Sequence, residues 1–251
     1  MNPLIPSNGV YNISANRLSI FKECPYKLYL YLSHQITDEI DMTYINVGNA
    51  IHKYMEDKFS GCEVQSHEKY IEDFQVPAEM KDRYFKCVEN AEKFLSLKGE
   101  PEVTEFTEFI TPKGRNINLQ SRIDLQVPEC DMPGMGKKVV IDWKTGKSLD
   151  RPGYKIQMHV YRFVKNQEYD AVLASLLSGE TLVINKSPKD YIPKLCDQYV
   201  DAIENNSFDR CESAMCSRFC QYYGKYCSPE SKYDIVVPRM TWDNENKEWV
   251  E

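Results

Sequence analysis

Asp142 and Lys144 stand two residues apart at the end of an apolar run, Val139-Val140-Ile141. Successive side chains of a β-strand alternate between faces, so these two emerge on the same side and present an acid and an amine together. A second acid, Asp124, lies in a stretch where Leu119, Ser121, Ile123, Leu125 and Val127 alternate with Asn118, Gln120, Arg122 and Gln126. That period of two predicts a half-buried strand with Asp124 on its polar face, able to close on the same spot from an adjacent ladder position. Carboxylates converging at strand ends make a hard oxygen site suited to Mg²⁺ or Mn²⁺. A cation held there polarises a phosphate and lowers the pKa of a bound water, while Lys144 orients that water or offsets charge on a phosphorane-like transition state. The implied chemistry is phosphodiester hydrolysis. An isolated Asp-x-Lys is more often a solvated surface ion pair, so the reading depends on what else the chain supplies.

Nine cysteines form a second chemical group. Cys211, Cys216, Cys220 and Cys227 crowd one C-terminal stretch, Cys24 stands near the beginning, and Cys62, Cys87, Cys130 and Cys196 are scattered. Cys216-x3-Cys220-x6-Cys227 has the close spacing of a metal-binding knuckle, and three soft thiolates call for Zn²⁺ or an iron-sulfur cluster with a fourth ligand elsewhere. Cys24 is the favoured fourth ligand, because a helix N-terminus stabilises a thiolate, and Cys211 competes for that place. Tying Cys24 to Cys216 closes most of the chain into one loop, which chain-entropy models value at on the order of 4 to 5 kcal/mol.

The elements that must position these groups follow from pattern. Ser14 caps a predicted helix from Ala15 to Glu23, and Pro25 suits the first turn of the next, Tyr26 to Ser33, which puts Cys24 at its N-terminus. Val47, Ile51, Tyr54, Met55 and Phe59 recur at helical spacing, with His52 and Glu56 stacked on one side. After a polar stretch at 60–75, Met80 to Leu95 reads as a longer helix ended by Gly99. Glu102 to Ile110 and 118–127 read as partner strands joined through Pro112-Lys113-Gly114, and a loop spans 128–138. Beyond the strand of Asp142, Tyr154 to Val164 is an amphipathic helix with Gln157 and Tyr161 one turn apart. Ala171 to Leu177 and Thr181 to Ile184 make a hairpin, Pro188 opens a last helix, and the acidic tail holds only Ile235-Val236-Val237 as a pattern. Helices, strands, helix, strands, helix imply α/β architecture with a mixed sheet flanked by helices.

Bulk properties narrow the class further. A chain of 251 residues fits one compact domain with insertions. Its 42% hydrophobic and 27% charged composition is that of a globular protein, and no apolar run nears the roughly 20 residues of a membrane span. The start, Met1-Asn2-Pro3-Leu4, does not read as a secretory signal, so the expected location is cytoplasmic and the cysteines are expected reduced. A formal charge of -7 argues against a protein that coats nucleic acid, though not against a nuclease whose carboxylates gather around metal.

Taken in order, Gly48-Asn49-Ala50-Ile51-His52 with Glu56, Glu105 or Glu108, Ser121-Arg122-Ile123-Asp124-Leu125, Asp142-Trp143-Lys144-Thr145-Gly146 and Gln157-x3-Tyr161 form a series. With the cysteines at both ends, that series resembles the RecB-like branch of the PD-(D/E)xK nucleases, which includes CRISPR-associated adaptation nucleases and the nuclease domains of recombination helicases. The resemblance implies a restriction-endonuclease-like fold with an N-terminal helical segment (1–46) carrying Cys24, a nuclease core (47–205), a cysteine cluster (206–230) and a tail (231–251). It implies that His52, Asp124 and Asp142 bind Mg²⁺ or Mn²⁺ with the backbone carbonyl of Trp143, and that Lys144 is the catalytic lysine. Glu108, or Glu105, would be an auxiliary acid, and Gln157 and Tyr161 would contact DNA or support the site. Cys24, Cys216, Cys220 and Cys227 would hold a [4Fe-4S] cluster. Asp142 stands where the family usually has Glu, Ile123 replaces the proline of the motif, and each cysteine gap is one residue longer than usual. The expected activity is exonucleolytic cleavage of single-stranded DNA ends, with recombination or CRISPR-type protein partners. A catalytically silent DNA-binding module of the same fold is the alternative.

Overall fold

A computed structural model describes residues 5–32, 42–211, 216, 220–224, 226–227, 241–243 and 248–250. The chain divides into two compact units, each assembled from separated segments: 41–106 with 120–192, and 1–40 with 107–119 and 193–251.

The first of these units holds helices α3 (Thr43–Ser60), α4 (His67–Asp73), α5 (Lys81–Ala91) and α6 (Pro152–Val164), numbered after the two near the N-terminus, α1 (Ala15–Glu23) and α2 (Pro25–Leu32). Its strands are β4 (Val139–Lys144), β5 (Asp170–Ser175) and β6 (Thr181–Ile184), with parts of β2 (Glu100–Ile110) and β3 (Asn116–Val127). β3 runs antiparallel to β4, with Leu125 opposite Ile141 and Val127 opposite Val139. β4 is parallel to β5, with Asp142 opposite Leu173, and β5 is antiparallel to β6. The α6 segment supplies the crossover that a parallel pair requires. This is the mixed α/β sheet flanked by helices that the order of elements implied.

Alternation along β4 sets the two sides apart. Val139, Ile141 and Trp143 join Leu125, Val127, Val172 and Ala174 in one core with Val47, Ile51 and Tyr54 of α3 and Tyr84, Cys87 and Val88 of α5. Trp143 anchors that face, 2% exposed and with its ring 4.8 Å from that of Phe94. Asp142 and Lys144 therefore point to the other side.

In the other unit, β1 (Val10–Ser14) pairs with β3, and the Asn118 amide donates to Asn12 Oδ1 at 2.8 Å. Ser14 caps α1 as expected, accepting from Arg17 N at 3.2 Å, and α2 opens on Pro25. Phe21 meets Tyr199 of α7 (Tyr191–Glu204) edge-on at 5.5 Å, and Arg115 is held by Asp201 and Glu204.

Several elements differ from the sequence expectation. β1 was not anticipated: only Tyr11 and Ile13 are buried along it, too few alternations to stand out. α4 arises inside the stretch read as polar, capped by Ser66 and burying only Tyr70 and Ile71. The helix expected over 80–95 is α5 with a single 3₁₀ turn at either end, Ala78–Met80 and Glu92–Phe94. Helical structure thus stops five residues before Gly99, so Gly99 does not cap it. The pattern at 235–237 lies outside the described residues.

Gly99 has another reason to be glycine. A Cβ there would meet Leu125 Cδ1 at 2.8 Å and the Gln126 carbonyl oxygen at 2.9 Å, and a backbone oxygen within the ladder cannot yield. Gly99→Ala should therefore cost about 1 to 3 kcal/mol, seen as a lower urea midpoint with an unchanged denaturant slope.

Candidate active site

One step past the β3–β4 register, Asp124 comes opposite Asp142. The ladder gives way there, and the Trp143 N–H donates to Asp124 Oδ2 at 2.7 Å. His52 reaches the same place from α3: its Nδ1 lies 3.6 Å from Asp124 Oδ2 and its Nε2 3.2 Å from the Trp143 carbonyl oxygen. Val47 and Ile51 are fully buried on the adjoining side of α3, so packing sets the rotation that delivers His52.

A third acid completes the group, and it is Glu102. Ligand atoms of His52, Glu102 and Asp124 all lie within 4.8 Å of one another. Glu102 sits in β2 with φ of +54°, a left-handed conformation that costs a non-glycine residue about 1 to 3 kcal/mol. The alternation of exposed and half-buried residues that holds from Thr104 to Ile110 breaks at 101–103, so the strain re-aims a side chain the strand period would have misplaced. Arg122 Nε donates to Glu102 Oε2. Of the acids named from sequence, Glu105 is ion-paired with Lys165, Glu108 is exposed in the other unit, and Glu56 is held by Lys53 at 3.1 Å. The one sequence signal for Glu102 is its neighbour Pro101, since proline inside a strand marks an interruption.

On the α6 side, Lys144 Nζ lies 2.6 Å from Asp142 Oδ2, and Asp142 is 1% exposed. Lys144 also donates to Gln157 Oε1 at 3.1 Å, Gln157 Nε2 donates to the Tyr161 hydroxyl at 2.6 Å, and that hydroxyl donates to the Arg122 carbonyl at 2.5 Å. Asp142 Oδ1 lies 3.2 Å from the same hydroxyl. Gln157 and Tyr161, one turn apart, thus clamp the lysine and the acid from a single helix. The Tyr154 ring lies 4.8 Å beneath the Lys144 ammonium.

Electrostatics match the geometry. Burial pushes Asp124 up to about 6, with His52 and Lys144 opposing and Asp142 adding to the rise. Burial would lower the Lys144 amine, but Asp142 and Asp124 outweigh it and hold the ammonium protonated. The Tyr161 phenol is raised well above its usual range, by burial first and then by the two carboxylates, so it stays a neutral donor. Crowded acids of this kind are relieved by a cation, and the donor set of imidazole, carboxylates and the Trp143 carbonyl suits Mg²⁺ or Mn²⁺.

Comparison with known proteins identifies the family of the chain. Residues 12–227 match the PD-(D/E)XK nuclease superfamily, so this chain belongs to that superfamily of metal-dependent nucleases acting on DNA. Among solved structures, one described as "Crystal structure of SSO0001" is similar at 15% identity and a TM-score of 0.41, covering 76% of this chain and 75% of that one. No curated protein matches. Among the described residues, no helix is long and apolar enough to cross a membrane.

The titration of Asp124 has a definite sign. Its folded pKa is raised, so its charge opposes folding of the metal-free protein fully above about pH 6, and that penalty fades as pH falls and is gone below the unfolded value of about 4. With a chelator at pH 7, Asp124→Asn should melt no lower than wild type. Titrating Mn²⁺ calorimetrically into wild type should show affinity falling roughly tenfold per pH unit below 6, as one proton competes for the site. A flat affinity from pH 5 to 7 contradicts this.

Proposed function

We propose that this protein hydrolyses DNA phosphodiesters as a Mg²⁺- or Mn²⁺-dependent exonuclease on single-stranded ends, within recombination, repair or CRISPR-type DNA processing. The carrying observation is the meeting of His52, Glu102 and Asp124 beside the Asp142–Lys144 pair in a partly buried place. His52, Asp124, Glu102 and the Trp143 carbonyl would hold the cation, with Asp142 completing the set. Bound there, it would supply Lewis acidity toward a phosphate oxygen and a lowered pKa for water.

The protein's own groups do the rest. Lys144, kept cationic by its two acids, would offset the negative charge that grows on the phosphoryl oxygens in the transition state. Gln157 fixes the direction of the ammonium, and Tyr161 fixes Asp142 against the strand. The sequence position of Lys144 on a strand rather than a loop keeps these distances within the tolerance that positioning demands.

The thiols support a second centre in the other unit, and with it the RecB-like assignment. The Cys211 N–H donates to Cys24 Sγ at 3.4 Å, and Cys216 Sγ donates to the Cys211 carbonyl at 3.4 Å. Burial raises the Cys227 thiol, Arg210 opposes it, and Cys220, Cys24 and Cys216 raise it further. Thiolates gathered this way repel unless a cation or cluster joins them. Cys24, Cys216, Cys220 and Cys227 would hold a [4Fe-4S] cluster, with Cys211 as the competing ligand and Zn²⁺ as the alternative metal.

Single-stranded DNA labelled at either end and incubated with Mn²⁺ should be shortened progressively from an end by wild type. Lys144→Ala should cut at least about a hundredfold more slowly; because it leaves the buried Asp142 carboxylate without its cation it should also melt lower than wild type, so the rates are compared well below both melting midpoints. Uncut DNA under these conditions would return the protein to a binding-only role. Protein purified without oxygen should show broad visible absorption bleached by dithionite and lost in Cys24→Ser; zinc without iron on metal analysis would replace the cluster with a zinc site.

A further inference from the structure

We propose that Tyr44 is a base-stacking platform for the unpaired strand approaching the active site, an inference that rests on the nuclease reading above. Tyr44 lies in the first turn of α3 and is 59% exposed, the most exposed tyrosine ring among the described residues of its unit. Its ring is backed by the Arg83 guanidinium, 5.1 Å from the ring centroid. Arg83 is itself fixed, donating from Nη2 to the Thr145 carbonyl at 2.5 Å, one residue beyond Lys144. The aromatic surface is therefore held to the end of the strand that carries the catalytic pair.

Tyr44, Gly48 and His52 recur every four residues along one side of α3. Gly48 lies between the two, and a Cβ there would sit 3.6 Å from Thr145 Oγ1, so the middle of the track is low and runs past the turn after Lys144. Eight residues of helix span about 12 Å, roughly three to four stacked nucleotide steps of one strand and fewer of an extended one. A nucleobase resting on Tyr44 would thus leave its strand within a few nucleotides of the His52–Glu102–Asp124 group. Stacking requires a base whose face is free, which a duplex denies and a single strand offers, so the platform selects for unpaired DNA. The ring face toward Arg83 is occupied by the cation, which orders the ring and leaves the rest of its surface for the base.

Binding can be read without cleavage by fluorescence anisotropy, using the full chain with Ca²⁺ in place of Mn²⁺, a labelled single-stranded oligonucleotide and the same sequence as a blunt duplex. Tyr44→Ala should raise the single-strand Kd about tenfold or more and move the duplex Kd by less than about twofold, while Tyr44→Phe, which keeps the ring, binds like wild type. Matched thermal melts confirm that the variants are folded. Equal losses on both DNAs, or no loss on either, would overturn the platform. Wild type is assayed beside them with Mn²⁺: if it cuts DNA while Tyr44→Ala binds normally, only the platform falls. If wild type neither binds nor cuts either DNA, the nuclease reading falls and the platform with it.

Discussion

Like charges held close together in a poorly solvated place dominate this molecule. Asp124, Glu102 and Asp142 would disperse if solvent and side-chain freedom decided their positions. They are kept together by Lys144 against Asp142, by Arg122 against Glu102 and by the Trp143 N–H against Asp124. Each restraint answers one acid, and the raised pKa of Asp124 shows that repulsion and desolvation are not fully answered. A divalent cation held there would relieve that residual tension, because a cation removes repulsion and desolvation cost together.

The arrangement is possible because β4 has two unlike faces. Val139, Ile141 and Trp143 bury into a core with α3 and α5, and that packing anchors the strand. The opposite face can then carry Asp142 and Lys144 under α6, where Gln157 and Tyr161 satisfy them. Apolar burial on one side thus offsets the cost of placing charge on the other, and the same core fixes the rotation of α3 that brings His52 to Asp124. Strain at Glu102 belongs to the same balance, since a left-handed residue inside a strand persists only where its surroundings over-determine it.

Much of this was legible in the chain. The period of two around Asp124, the apolar run into Asp142-x-Lys144 and the one-turn spacing of Gln157 and Tyr161 are local patterns, and each predicts which side chains share a face. The capped α1, the proline-led α2 and the α3 stripe with His52 were readable for the same reason. Short elements escaped: β1 and α4 bury two residues each, and such brief patterns are indistinguishable from loop composition. Gly99 was misread as a helix stop because glycine serves both backbone freedom and close approach, and only the nearness of Leu125 and Gln126 tells which.

By itself the sequence determined the mixed α/β order of elements and the residues from which the acid-lysine site is drawn, because alternation and helical spacing are properties of neighbouring residues. Which acid joins His52 and Asp124 was decided only by tertiary structure. The family resemblance pointed to Glu105 or Glu108, while a single left-handed residue turned Glu102 into the group. The approach of Arg83 to Thr145, 62 residues apart, was likewise invisible along the chain, because contacts at that separation depend on how elements pack rather than on what each is made of.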